Sequence, residues 1–282
     1  MRDFTGRTAF ITGGASGIGF ALARAFADAG ANVMLADIEA DALTAAVEAL
    51  RNAGANVRGI ICDVTNPADV DKAAAATIEA FDKVHVACNN AGVGGGSGVD
   101  PVSLETWRWV LDVNLMGVVH GIRAFLPLIR SHGEGGHIVN TASMAGMISG
   151  LGFGPYTASK FAVVGMSEGL AMELAPLGIG VTVLCPGFVR TRIGESQRNR
   201  PQRYGPAPTW PAGSRASTLA AQVAALVQAG MDPADVATRV MNAVREDRLY
   251  VFTHPEMRGE TEQRFSAILQ AMDASAAPAN KP

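Results

Sequence analysis

Thr8-Ala9-Phe10-Ile11-Thr12-Gly13-Gly14-Ala15-Ser16-Gly17-Ile18-Gly19 is the stretch on which the fold turns. Five apolar and β-branched residues read as a strand. The glycines that follow allow a tight turn, and a helical pattern then runs over residues 17–29 until Gly30 stops it. Glycines between a strand and a helix let the backbone approach a pyrophosphate closely. The first turn of the helix also offers unpaired N–H groups to an anion. Gly13, Ser16, Gly17, Ile18 and Gly19 are therefore candidate dinucleotide contacts.

The same alternation continues outward. Strand patterns fall at residues 32–36, 57–62, 84–88, 137–141 and 180–184. Between them lie helical patterns at 39–53, from Asn66-Pro67 onward, at 103–130 with Pro127 near its end, and at 155–178. This order predicts an α/β fold: one Rossmann-type, doubly wound parallel sheet flanked by helices. Such sheets bind ligands beyond the carboxyl ends of their strands. Asp37 ends the second strand, about twenty residues after the glycine turn, where a carboxylate accepts the adenine ribose hydroxyls and repels a 2′-phosphate. Neither Ser16 nor Ile38 offers a compensating cation, so NAD is expected over NADP.

The alternation breaks over residues 190–231, where Pro201, Pro206, Pro208 and Pro211 are interleaved with Tyr204 and Trp210. This reads as a long irregular insert covering a site. A helix at 235–246, a short strand at 249–252 and a last helix at 257–272 follow. One domain over residues 1–272 is expected, with the Ala- and Pro-rich residues 273–282 as a frayed tail.

With 48% hydrophobic and 17% charged side chains, the 282 residues can build a large core. A formal charge of −3 gives no field for a phosphate backbone, which argues against nucleic acid as a partner. The start carries no leader pattern and no apolar run approaches the ~20 residues of a membrane span. A soluble, cytoplasmic protein with no membrane partner is expected. Cys62, Cys88 and Cys185, odd in number and set in strand-like runs, read as buried free thiols. His85, His120, His132, His137 and His254 show no zinc-ligand spacing, so no metal is expected.

Further marks lie after the later strands: Asp63-Val64, Asn89-Asn90-Ala91-Gly92, Asn114, Ser143, Tyr156-x-x-x-Lys160, and Pro186-Gly187 with Thr191. In this order and with these separations the chain resembles the short-chain dehydrogenase/reductase superfamily from Thr8 to about Phe252. The resemblance implies that Asp63 and Val64 hold the adenine. Asn90, with its neighbour Gly92, would border the adenosine ribose and steady the sheet. Pro186, Gly187 and the backbone around Val189 and Thr191 would hold the nicotinamide carboxamide. Asn114 would interrupt its helix and anchor a water.

The side chains themselves suggest the chemistry. Oxidation of an alcohol by hydride transfer needs a base for the hydroxyl proton, and tyrosine, with a reference pKa of about 10, needs cations nearby to serve. Tyr156 and Lys160, four apart, share a helix face, so the ammonium can approach the phenol and can also hold ribose hydroxyls. Ser143 can hydrogen-bond the substrate oxygen as charge develops. Asn114, Ser143, Tyr156 and Lys160 are the catalytic candidates, and interconversion of a secondary alcohol and its ketone is the expected reaction.

The apolar run at 144–155, the small residues at 93–98 and the large insert point to a bulky, apolar or aromatic substrate. The alternative for Phe153 and the methionines is plain core packing. Residues 193–205 and 250–258 are similar to bacterial Cα-dehydrogenases, which oxidise benzylic alcohols of lignin-derived aryl ethers, and this implies an arylalkyl alcohol. His254 to Arg258 would close over the pocket or pack at a subunit contact. Other readings are a 3-oxoacyl thioester reductase, against which Asp37 speaks, a sugar or polyol dehydrogenase, and a non-catalytic NAD-binding sensor. The long helical patterns at 103–130 and 155–178 are candidate interfaces of a homo-oligomer, a dimer or a tetramer.

Overall fold

Strand β1 (Thr8–Thr12) is buried at every position, as a strand covered on both faces must be. In the computed structural model, which describes residues 1–95, 102–150 and 152–276, β1 lies at the centre of a seven-stranded parallel sheet. The other strands are β2 (Asn32–Asp37), β3 (Val57–Ile61), β4 (Val86–Asn89), β5 (Gly136–Thr141), β6 (Ile179–Cys185) and β7 (Tyr250–Phe252). Their order is β3-β2-β1-β4-β5-β6-β7. Chain direction across the sheet reverses between β1 and β4, which opens a crevice beyond their carboxyl ends.

Helices cover both faces: α1 (Gly17–Asp28), α2 (Ala40–Asn52), α3 (Pro67–Phe81), α4 (Leu104–Leu111), α5 (Gly117–Ser131), α6 (Gly154–Leu174), α7 (Arg215–Gln228), α8 (Pro233–Glu246) and α9 (Arg258–Ala276). The period of β1 sends Phe10 and Ile11 to opposite faces. Ile11 joins Leu22, Phe26, Leu35 and Val240 on one side. Phe10 joins Trp109, Phe125 and Ile129 on the other, with the Phe10 and Phe125 rings stacked at 3.9 Å between centroids. Each such fully buried side chain is worth about 1.5–3 kcal/mol of transfer free energy. Asn66 caps α3 through its side chain, accepting from the Ala68 N–H at 3.1 Å, with Pro67 in the first turn.

The structure corrects the sequence reading in four places. The pattern at 103–130 is two α-helices joined by a π-helical turn, Asp112–Met116, which carries Asn114. Leu104–Ser131 is nonetheless long and apolar enough to cross a membrane by length and composition, contrary to the expectation that no such run exists. Trp109, Val110, Phe125 and Ile129 turn its inner face into the core, which accounts for that composition.

The insert is not irregular throughout. Its second half is α7, capped by the Ser214 hydroxyl, which accepts from the Ser217 N–H at 3.2 Å. The prolines stop at Pro211, and the Ala- and Leu-rich residues after Ser214 are free to follow their helix propensity. The feet of the insert are joined by a parallel bridge between Val189 and Met231, with Arg190 N–H donating to Met231 O at 2.9 Å. Finally, α9 continues to Ala276, so residues 273–276 are helical, while 277–282 lie outside the described residues.

Candidate active site

The glycine turn closes on the crevice. Gly13 has φ +63°, and a Cβ there would stand 3.0 Å from the Cα of Ala91, so the turn and the end of β4 touch backbone to backbone. A side chain on Gly19 would overlap the Gly13 carbonyl. Ser16 precedes α1 in extended conformation, and its hydroxyl makes no capping bond. The N-terminus of α1 with its unpaired N–H groups therefore faces a cradle in which only backbone fits, the geometry a pyrophosphate requires.

Asn90 locks this turn. Its amide donates to Thr12 O at 3.0 Å, its N–H and that of Ala91 both donate to the Thr12 hydroxyl, and its carbonyl accepts from Thr141 Oγ1 at 3.3 Å. Asp37 ends β2, 9% exposed, and its carboxylate accepts from Ala15 N–H and Glu39 N–H, each at 3.0 Å. It thus ties the glycine turn to the start of α2.

Asp63 accepts from Thr65 N–H at 3.0 Å, Thr65 Oγ1 at 2.7 Å and Arg203 Nη2 at 2.9 Å. Burial opposes its ionisation, yet the Arg203 and Thr65 hydrogen bonds outweigh that and hold the carboxyl below its ordinary range. Val64 is buried against Gly117, and its carbonyl accepts from His120 Nδ1 at 2.9 Å.

The four catalytic candidates converge beyond β4, β5 and α6. Lys160 is 3% exposed, and its ammonium donates to Thr141 O at 2.8 Å and lies 5.6 Å from the centre of the Tyr156 ring. Among the described residues it has no carboxylate partner, and burial pulls its pKa down to about 8. Burial likewise raises the Tyr156 phenol above its ordinary value, with the Ser143 hydroxyl opposing the rise.

Ser143 Oγ donates to Pro186 O at 3.3 Å and accepts from Ala145 N–H at 3.1 Å. Asn114 is fully buried. Its side chain accepts from Val93 N–H at 2.8 Å and donates to Val93 O at 3.0 Å and Ser159 Oγ at 3.3 Å. Its carboxamide is therefore spent on fixing the loop after β4. Gly92 sits between them: a Cβ there would be 3.4 Å from Asn114 Oδ1 and 3.6 Å from Lys160 Nζ.

Pro186 and Gly187 follow β6. Gly187 N–H donates to Thr253 Oγ1 at 3.0 Å, and the His254 ring packs so closely on Gly187 that no side chain fits there. His254 thus braces the turn rather than closing over the pocket. Val189 is buried at the foot of the insert, and the Thr191 methyl meets Gly17 across the crevice. Met144 and Met147 belong to the core with Val163, Val164 and Val183, so plain packing accounts for them. Phe153 lies 6.3 Å from the Tyr156 ring, and Leu219 of α7 packs on Gly152. Val93, Gly94 and Gly95 border this end, while residues 96–98 lie outside the described residues.

Several residues at the site carry no local sequence signal. Thr12, Thr141, Ser159 and Thr253 act through hydrogen bonds that only the fold creates. Arg198 and Arg203 of the insert pair with Glu39 and Asp63, from 159 and 140 residues away.

The opposite end of the sheet holds a cluster that ligand spacing did not foretell: His85, His132 and Glu134. His85 Nδ1 accepts from Thr8 N–H at 3.1 Å, so its Nε2 bears the proton facing Glu134. His132 Nε2 donates to Val84 O at 2.9 Å and its Nδ1 accepts from Glu134 N–H at 3.1 Å. Glu134 pairs with Arg7 and Lys83. No ring lone pair remains for a cation. The three cysteines are free and buried, with every thiol pKa raised by burial.

Comparison with known proteins agrees with this geometry. A short-chain dehydrogenase/reductase from Burkholderia phymatum, solved in complex with NAD, superposes with a TM-score of 0.92 at 40% identity, covering 100% of this chain and 99% of that one. The Cα-dehydrogenase of Sphingobium sp. strain SYK-6 is 33% identical over 273 residues, 96% of this chain and 88% of that protein. A 1-deoxy-11-beta-hydroxypentalenate dehydrogenase of Streptomyces avermitilis is 37% identical over 263 residues, 93% of this chain and 89% of that protein. The short chain dehydrogenase family profile matches residues 7–202. The chain belongs to the short chain dehydrogenase family of oxidoreductases.

Proposed function

We propose that the chain uses NAD to interconvert a secondary alcohol and its ketone, with Tyr156 as base and acid and with a bulky or arylalkyl substrate. The observation that carries this reading is the buried Lys160 ammonium beside the Tyr156 phenol, which among the described residues donates to the Thr141 carbonyl and meets no carboxylate. An unpaired buried cation is a cost to the fold that a ligand's hydroxyls would offset. The NAD complex of the Burkholderia relative supports the cofactor.

The dinucleotide would rest its pyrophosphate on Gly13, Ser16, Gly17, Ile18 and Gly19 and its adenosine ribose on Asp37. Asp63, Val64, Asn90 and Gly92 would border the adenosine, and Pro186, Gly187, Val189 and Thr191 the nicotinamide. When bound in its oxidised form it supplies the hydride acceptor and a positive charge that favours the phenolate.

Tyr156 takes the substrate's hydroxyl proton at its phenol oxygen, and Ser143 Oγ donates to the same substrate oxygen as charge develops there. Lys160 holds ribose hydroxyls, and its charge opposes the burial that raises the phenol. The Asn114 side chain is committed to Val93, so its part in passing protons to solvent falls to its main chain in the π-helical turn.

The insert supports a bulky substrate: α7 covers Gly152 with Leu219, next to Phe153. The similarity to a Cα-dehydrogenase favours an arylalkyl alcohol. We place the protein in the cytoplasm as a homo-oligomer. Phe265, Ile268, Leu269 and Met272 form one exposed apolar stripe on α9 that suits a subunit contact. The test is NADH formation from a panel of 1-arylalkanols and smaller secondary alcohols. Turnover that favours the arylalkanols is expected. NAD binding without turnover of any secondary alcohol would overturn the enzymatic reading in favour of a sensor.

A further inference from the structure

Two carboxylates leave the end of β2 in opposite roles. Asp37 turns inward to Ala15 and Glu39 N–H. Glu39 precedes α2 but makes no capping bond with its side chain. Its carboxylate is instead taken by the insert. Arg198 donates to it from Nη2 at 2.6 Å and from Nε at 3.1 Å, Asn199 Nδ2 donates at 2.8 Å, and Arg192 Nη1 lies 3.8 Å away. Beyond β3, Arg203 reaches Asp63 and the Thr65 hydroxyl in the same way. The insert thus spans the adenosine side of the crevice and brings guanidinium groups to the edge where Asp37 stands.

A guanidinium at that edge is the natural partner of a phosphate, because its planar fork matches two phosphate oxygens. Each fork has a carboxylate partner: Arg198 is held by Glu39, and Arg192 donates from Nε to Glu195 at 3.0 Å. Resting on the dinucleotide reading above, we propose that Glu39 is a positioning residue for cofactor choice: by holding Arg198 it keeps that guanidinium from a 2′-phosphate, so that rejection of the phosphorylated dinucleotide belongs to Asp37 and Glu39 together. The lack of a basic residue at Ser16 and Ile38 is then only half of the discrimination. The other half is the capture of an arginine supplied from far along the chain.

The experiment is titration calorimetry of the full chain with NADH and with NADPH, which reads binding without turnover. Glu39→Gln is expected to shift the ratio of the two dissociation constants toward NADPH by about tenfold, with the gain falling as salt rises. Glu39→Gln combined with Arg198→Gln is expected to lose most of that gain. Arg198→Gln alone, which leaves Glu39 uncompensated, is expected to move the ratio the other way. Asp41→Asn, a neighbouring carboxylate in the first turn of α2 outside the cluster, is expected to change it less than about twofold.

An unchanged ratio in Glu39→Gln, or an equal shift in Asp41→Asn, overturns the inference and leaves the dinucleotide reading standing. Failure of the wild-type chain to bind either dinucleotide brings down both.

Discussion

The two ends of the parallel sheet hold titratable clusters of opposite character. At the amino end Glu134 meets Arg7, Lys83 and His85, and each of these polar groups has its partner. At the carboxyl end Lys160 is buried with a single carbonyl partner, Tyr156 is driven away from its phenolate, and the Ser16 hydroxyl caps nothing. The first cluster stabilises the fold and has nothing left over for a ligand. The second is unfavourable without a ligand. Between these two clusters, the difference lies in pairing and not in the number of ionisable residues.

The largest effect expected from this contrast is on turnover. Tyr156→Phe should lower kcat by about 10²–10⁴-fold while NAD binding is kept, since general base catalysis is worth that much. Retention of near-normal kcat would make the carboxyl-end cluster as inert as the other.

The second effect is on stability, and its sign differs between the ends. The Lys160 pKa is about 8 in the fold against 10.5 for a free lysine. Between those values the unfolded chain holds this proton and the fold does not, so the contribution of Lys160 to ligand-free stability should rise with pH there, by at most about 3 kcal/mol. The buried thiols and Tyr250 pull stability down over the same range, so the reading is a difference: the stability of the wild type relative to Lys160→Met should grow as pH rises from 8.

Glu134 behaves in the opposite way. Arg7 and Lys83 hold its carboxyl down at about 2, so its stabilisation is present above the ordinary carboxylate range and is lost as pH falls toward that value. Glu134→Gln should flatten acid unfolding and lower Tm only slightly, because the cluster is open to solvent, with kcat unchanged. The smallest effect is that of a chelator. With the lone pairs of His85 and His132 already engaged, it should alter neither Tm nor kcat.

Much of the fold was legible because each layer is written locally. The five residues before Gly13 and the glycines after them define a strand, a turn and a helix start without reference to the rest of the chain. The same held for Asp37 and for Tyr156 with Lys160, which reach the site from the strand end and helix spacing that the pattern assigned. The resemblance placed an interruption of the helix at Asn114, but its π-helical form over Asp112–Met116 was hidden, because nothing in the residue types marks the change of hydrogen-bond partner. The helix α7 was readable from Ser214 onward, but the prolines before it dominated the segment. The pairings of Arg198 with Glu39 and of Arg203 with Asp63 were invisible, since surface charges choose partners only after the fold has set distances. The resemblance singled out Asn114, but that its side chain is spent on Val93 emerges only once the loop after β4 has folded against it.

The bridge between Val189 and Met231 makes the insert a loop whose two ends leave and rejoin the sheet at one place. An excursion anchored in this way can be exchanged or reshaped with little consequence for the strands beneath it, since loop length itself costs little. The segment between those feet is thus a cassette in its backbone, though one that must keep its ties to Glu39 and Asp63 when it is exchanged. It is also a practical place to graft a covering segment from a relative with another substrate.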